Sequence, residues 1–132
     1  MKTLFVAINA KYVHTNIAVR YLTHYCRNMG ADCDFCELTI NEPQDKILEK
    51  LYMEDCDMYG FSCYIWNIDR VLEICKNLKK LKPACCIFLG GPEVSFDGAR
   101  ILKEYDFIDN IICGEGEMRT AKFLLKKPEG RK

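Results

Sequence analysis

"IFLGGPEVSFDG", residues 87–98, decides how this chain is read. Cys86, Ile87, Phe88 and Leu89 form a short apolar run of the kind that makes a buried strand, and Gly90-Gly91-Pro92 breaks it abruptly. Two adjacent residues without Cβ let the backbone turn through unusual φ/ψ, or let something large lie flat against it. A helical pattern follows at once, opened by Ser95. A buried strand, a glycine pair and then a helix are the elements of one βα unit. The question is whether the glycines serve the turn alone or also a ligand.

Similar units surround it. "LFVAI" (4–8) is a continuous apolar run, hence a strand covered on both faces. Residues 16–29 carry apolar side chains at helical spacing, with Asn16 as cap and Gly30 as stop. "ADCDFCEL" (31–38) alternates and predicts a second strand, and 41–52 a helix with Pro43 near its first turn. "DMYGFSCY" (57–64) reads as a third strand, followed by a helix over 67–81 that starts at Asn67. "CCIFL" is the fourth strand, 95–104 a helix, "NIICG" (110–114) the fifth strand and 116–126 the last helix. Such alternation predicts parallel βαβ units with right-handed crossovers. At 132 residues the economical arrangement is a flavodoxin-like (Rossmann-like) α/β three-layer sandwich, with a five-stranded parallel sheet in the order 2-1-3-4-5. One domain over 1–127 is expected, with 128–132 as a polar tail or the start of a linker.

Composition bounds the partners. Lys+Arg and Asp+Glu balance at 19 each, which gives no general attraction to nucleic acid or to an anionic membrane. The opening apolar run is too short for a signal peptide, and no stretch has the length of a membrane helix. A soluble, cytoplasmic chain is expected. Nine cysteines, an odd number sitting mostly inside apolar runs, read as small core hydrophobes in a reducing compartment. "CDFC" (33–36) does not read as a metal site: residues three apart on a strand face opposite sides of the sheet, and Cys85-Cys86 fail alike.

Sheets of this kind bind ligands past the carboxyl ends of their strands. The residues there are Tyr12 and His14 after strand 1, then Ser62, Tyr64 and Trp66 after strand 3. Gly90, Gly91, Pro92 and Glu93 follow strand 4, and Gly114 and Glu115 follow strand 5. An imidazole, hydroxyls, large aromatics, glycines and carboxylates on one edge suit a small-molecule site. Dinucleotide and P-loop chemistry are excluded, because no glycine fingerprint follows strand 1 and no Gly-Lys-Ser/Thr occurs. A phosphorelay receiver lacks its acidic residues around strand 1, and "NAKYVHTNIA" is a poor phosphate loop for a flavin.

These residues resemble the cobalamin (vitamin B12)-binding domain found at the N-terminus of many radical SAM enzymes. "SCY" (62–64) stands where that superfamily has Ser-x-Leu, and a spacer of 25 residues (65–89) leads to Gly90-Gly91 in the place of its Gly-Gly. "GGPEVS" and "CGEGE" are similar to the radical SAM branch in particular. The family's Asp-x-His-x-x-Gly loop is kept only at His14, since Tyr12 replaces the Asp and Ile17 the Gly. The resemblance implies that Gly90-Gly91 clear a groove for the cofactor's nucleotide tail and that Ser62 bonds the tail base. Tyr64 and Trp66 would wall the corrin or the tail by apolar contact. His14 would either be the lower ligand of cobalt or a loop histidine that packs beside the corrin or faces solvent, because it lacks the carboxylate that would fix its tautomer. A cobalamin-binding module, not catalytic alone, is therefore expected. S-adenosylmethionine and the 4Fe-4S cluster would belong to a radical SAM domain downstream, since no Cys-x-x-x-Cys-x-x-Cys occurs here. Methyl transfer or another radical reaction would take place at the junction. The competing expectation is a flavodoxin-like regulatory or interaction domain that has lost its cofactor.

Overall fold

The computed structural model describes residues 2–10, 16–95, 97–112 and 116–125. Five strands alternate with five helices: β1 Thr3–Asn9, α1 Ile17–Asn28, β2 Cys33–Thr39, α2 Gln44–Glu54, β3 Met58–Ser62, α3 Ile68–Leu81, β4 Cys86–Gly90, α4 Gly98–Glu104, β5 Asn110–Ile111 and α5 Gly116–Leu125. All pairings are parallel and the order is β2-β1-β3-β4-β5, as the alternation predicts. All seven residues of β1 are buried, which explains its unbroken apolar run.

Alternate strand residues divide the core in two. Leu4, Val6, Ile8, Tyr59, Phe61, Ile87 and Leu89 pack with α2, α3 and α4 through Ile47, Leu51, Val71, Ile74, Leu78 and Ile101. Phe5, Ala7, Met58 and Phe88 face the other way, toward Val19 and Cys26 of α1 and Ala121 of α5. Cys33 lies in this second cluster and Cys36 in the first. Cys85 and Cys86 are split likewise, so neither pair shares a face, as the strand period requires.

Local chemistry sets the ends. Asn16 caps α1 as expected, its side-chain oxygen accepting the Val19 N–H at 3.0 Å. Three ends differ from expectation. The third strand stops at Ser62 and not Tyr64, because the Tyr64 N–H turns away to the Asn67 side chain (2.8 Å). α4 begins at Gly98, since the Ser95 hydroxyl donates to the Gly91 carbonyl (2.8 Å) instead of capping the helix. β5 has only two residues, although the Ile112 N–H still donates to Leu89 O at 2.9 Å.

Gly60 lets an aromatic ring cross the sheet. A Cβ there would lie 2.3 Å from the Phe88 Cζ. That ring is boxed edge-to-face by Phe5 (centroids 6.2 Å) and by Phe123 of α5 (5.2 Å). Gly60→Ala should therefore destabilise the fold by about 2 kcal/mol, as overpacking does where neighbours cannot yield. A urea melt read by circular dichroism checks this, and an unchanged midpoint would mean the ring has room to move.

Candidate functional site

The site is the carboxyl edge of the sheet on its α1/α5 face. Ser62 and Gly90 are partners in the β3–β4 register. Val6↔Phe61 is the last pair of β1 and β3, and Ala7 and Ser62 are the residues that follow it. Counting by twos from Phe5, Met58 and Phe88 puts Ala7, Ser62 and Gly90 on the α1/α5 face. β3 and β4 thus end side by side in a shelf of two small residues, with the Phe88 ring one step below Gly90, and with Ala7 on the same face of β1. Among the described residues a Cβ on Gly90 would meet nothing nearer than Ile112 O at 3.9 Å, so there it has room for a side-chain atom. The Ser62 side-chain hydroxyl has no hydrogen-bond partner among the described residues.

Gly91 has a different reason to be glycine. Its φ is +101°, and a Cβ would lie 2.6 Å from Cys63 O and 2.9 Å from Cys63 N. The two loops are stitched together here. Cys63 N–H donates to Gly90 O (2.8 Å), and Glu93 N–H donates to Cys63 O (3.3 Å). Val94 plugs the core beneath them, while Pro92 and Glu93 are exposed. Of the paired glycines, one is claimed by the backbone and the other leaves space for a ligand.

After β3, Tyr64 and Trp66 stack in parallel, with centroids 5.4 Å apart and planes 4° from one another. Ile65 between them is 81% exposed and Trp66 42%. They form an exposed apolar surface on the loop that follows Ser62. The residue that holds this loop, Asn67, was read from sequence only as a helix start. It gives its helix no side-chain cap and is almost fully buried. Sequence alone could not mark it, because one of its partners, Ile8, is 59 positions away.

At the root of the β1–α1 connection, Asn16 Nδ2 donates to the buried Asn9 Oδ1 (3.3 Å), and the Asn16 N–H donates to the Glu37 carboxylate. The Arg20 guanidinium bonded to Glu37 at 2.8 Å, with the Asn16 N–H, holds that carboxyl below the usual carboxylate range. Tyr12 and His14 lie outside the described residues, as do Gly114 and Glu115. Among the described residues no His/Cys/Asp/Glu group is arranged to hold a metal ion. Burial, and secondarily the Glu93 carboxylate, push the Cys63 thiol up to about 12, so it sits beside the shelf as a protonated, inert group. What the described residues present is a surface for binding: a hydroxyl, stacked rings and space above a glycine.

Similarity to known proteins agrees with this geometry. The chain matches the family model described as the B12 binding domain over residues 3–124. It is 27% identical over 131 residues to the cobalamin-dependent radical SAM methyltransferase TokK of Streptomyces tokunonensis, covering 93% of this chain and 18% of that protein. The anaerobic magnesium-protoporphyrin IX monomethyl ester cyclase of Rubrivivax gelatinosus is 29% identical over 143 residues, covering 99% of this chain and 25% of the cyclase. The chain thus spans a quarter or less of these relatives. Among solved structures it superposes on a cobalamin-binding protein from Desulfitobacterium hafniense with a TM-score of 0.65 at 14% identity, covering 92% of this chain and 56% of the other. The receiver domain of RcsB from Salmonella enterica gives 0.60 at 12% identity, over 92% and 83% of the two chains. At such identities the superpositions establish the fold alone, which these proteins share whatever they bind. The family match covers nearly the whole domain and rests on sequence: this chain belongs to the B12-binding domain family.

Proposed function

We propose that this chain is the cobalamin-binding module of a cobalamin-dependent radical SAM enzyme. The observation that carries the reading is the Ser62–Gly90 pair, a hydroxyl without a hydrogen-bond partner among the described residues beside a Cβ-free position at matched register on the α1/α5 face. It offers the cofactor's nucleotide tail a groove floored by Ala7, Ser62 and Gly90. Ser62 bonds the tail base, and Tyr64 and Trp66 wall the corrin. Gly91, Pro92 and Glu93 flank it, and Tyr12, His14, Gly114 and Glu115, which lie outside the described residues, complete the proposed set of cofactor contacts. Bound cobalamin supplies a cobalt centre that makes and breaks bonds to carbon. This chain's residues hold that centre in place and shelter one of its faces.

On this reading residues 1–127 are the module and 128–132 begin the linker to a radical SAM domain, which brings S-adenosylmethionine and the 4Fe-4S cluster. Methyl transfer is the reaction class in view, since TokK is by name a methyltransferase. A cytoplasmic setting without nucleic-acid or membrane partners fits the balanced charge, and no described helix is long and apolar enough to cross a membrane. The alternative, a regulatory domain without cofactor, draws on the receiver-like fold, but the acidic residues a receiver needs are absent around "LFVAINA".

The test is direct. After incubation with hydroxocobalamin and desalting, the protein should keep one corrin per chain by its visible spectrum, and loss of all colour would refute the reading. His14→Ala should give the wild-type spectrum from about pH 5 to 8, across the ordinary imidazole titration. A pH-dependent difference between the two proteins would make His14 the lower cobalt ligand.

A further inference from the structure

β1 and β3 run paired only as far as Val6↔Phe61, whereas β1 stays with β2 to Asn9↔Thr39. Beyond Phe61 the two central strands part, and a crevice opens at the point where strand order reverses. One side chain spans it. Asn67 Nδ2 donates to Ile8 O across the gap (3.0 Å) and to Ser62 O (3.2 Å), while its Oδ1 accepts the Tyr64 N–H (2.8 Å). Two carbonyl acceptors and one N–H donor leave a single choice for which amide atom is oxygen.

Asn67 is 1% exposed and occupies the N-cap position of α3. A residue of this type normally gives its oxygen to the helix amides. Here the helix start goes without, and the amide is spent on the segment behind it and on β1. That loop carries Ser62 and the Tyr64–Trp66 stack, and Ile8 lies at the root of the β1–α1 connection.

We propose that Asn67 is a positioning residue for the cofactor: its amide sets the width of the β1–β3 crevice and the placement of Ser62, Tyr64 and Trp66 against the bound cobalamin. The inference rests on the cobalamin reading and adds a residue to it. Only a planar group with donors on one atom and an acceptor on the other satisfies all three partners. A carboxylate keeps the acceptor but turns a negative oxygen toward two carbonyls. A carboxylic acid recovers one donor. All three partners are main-chain atoms, so nothing at this contact titrates in the wild type.

The experiment compares wild type, Asn67→Asp and Asn67→Leu at about pH 8 and about pH 5.5, where a buried aspartate regains its proton above its ordinary range. Hydroxocobalamin affinity is read from the visible spectrum. Trp66, the chain's one tryptophan, reports the loop by its emission without the cofactor. Asn67→Asp should bind about tenfold more weakly than wild type at the higher pH and return to within about threefold of it at the lower. Its Trp66 emission should move with pH in step, and Asn67→Leu should recover at neither pH. If Asn67→Asp does not fold at the higher pH, the acid-form comparison with Asn67→Leu decides. Equal binding by wild type and Asn67→Asp at the higher pH would overturn the positioning role alone, as would the absence of acid recovery. Failure of wild type itself to keep the corrin would overturn the cobalamin reading and the role built on it.

Discussion

Gly91→Ala is expected to lose about 4 kcal/mol of folding stability, a drop in Tm on the order of 15 °C for a domain of this size. Two costs act together. The backbone at Gly91 holds φ +101°, where an L side chain is strained, and the added methyl would lie 2.6 Å from Cys63 O. The obstructing atom is main chain, fixed by Cys63 N–H to Gly90 O and Glu93 N–H to Cys63 O, so no rotamer change relieves the clash. The β3 and β4 loops must separate or the glycine must flip. Thermal unfolding followed by circular dichroism measures the effect. A loss below about 1 kcal/mol would mean that this junction is loose and that the stitched loops do not define the site's floor.

Gly90→Leu should do the opposite, keeping the fold and losing the ligand. This glycine has no left-handed φ, and its Cβ direction is clear to 3.9 Å. A leucine there meets only ordinary contact at its first side-chain carbon among the described residues, so β4 is expected to keep its place. It also fills the groove beside Ser62 that the nucleotide tail would occupy. Hydroxocobalamin retention should fall about a hundredfold or more while Tm stays within a few degrees of wild type. Retention at the wild-type level would show that the tail does not pass over Gly90. The two substitutions, one residue apart, separate a structural glycine from a ligand-facing one. A double substitution would confound them.

The architecture was legible because every element advertises itself locally. "LFVAI" is apolar throughout and lies in a strand buried on both faces, and Asn16 and Pro43 stand at helix starts. The opposed faces of Cys33 and Cys36 follow from the strand period alone. That Ser62 and Gly90 stand at neighbouring strand ends is traced in one dimension by the spacing between their loops. What stayed hidden depends on contacts between distant segments. That Cys63 forbids a side chain at Gly91, and that Phe88 forbids one at Gly60, cannot be seen in either stretch by itself. Asn67 looked like a helix cap because Asn is a good one. Only the parting of β1 and β3 reveals its other use. Ser95 misled for the same reason, its hydroxyl having a nearer carbonyl at Gly91.

The thiols give the molecule an internal clock. Of the eight cysteines described, seven are buried and Cys86 is half-covered, and they are dispersed over both faces and both ends of the sheet. Burial pushes Cys26 up to about 12 and Cys86 to about 11, with Cys63 as high as Cys26. An alkylating reagent attacks the thiolate, so each sulfur reacts only while its segment is open to water. Mass-resolved alkylation would then time the opening of each region separately: Cys63 at the crevice, Cys56 and Cys85 at the amino ends of β3 and β4, and Cys26 and Cys33 beneath α1.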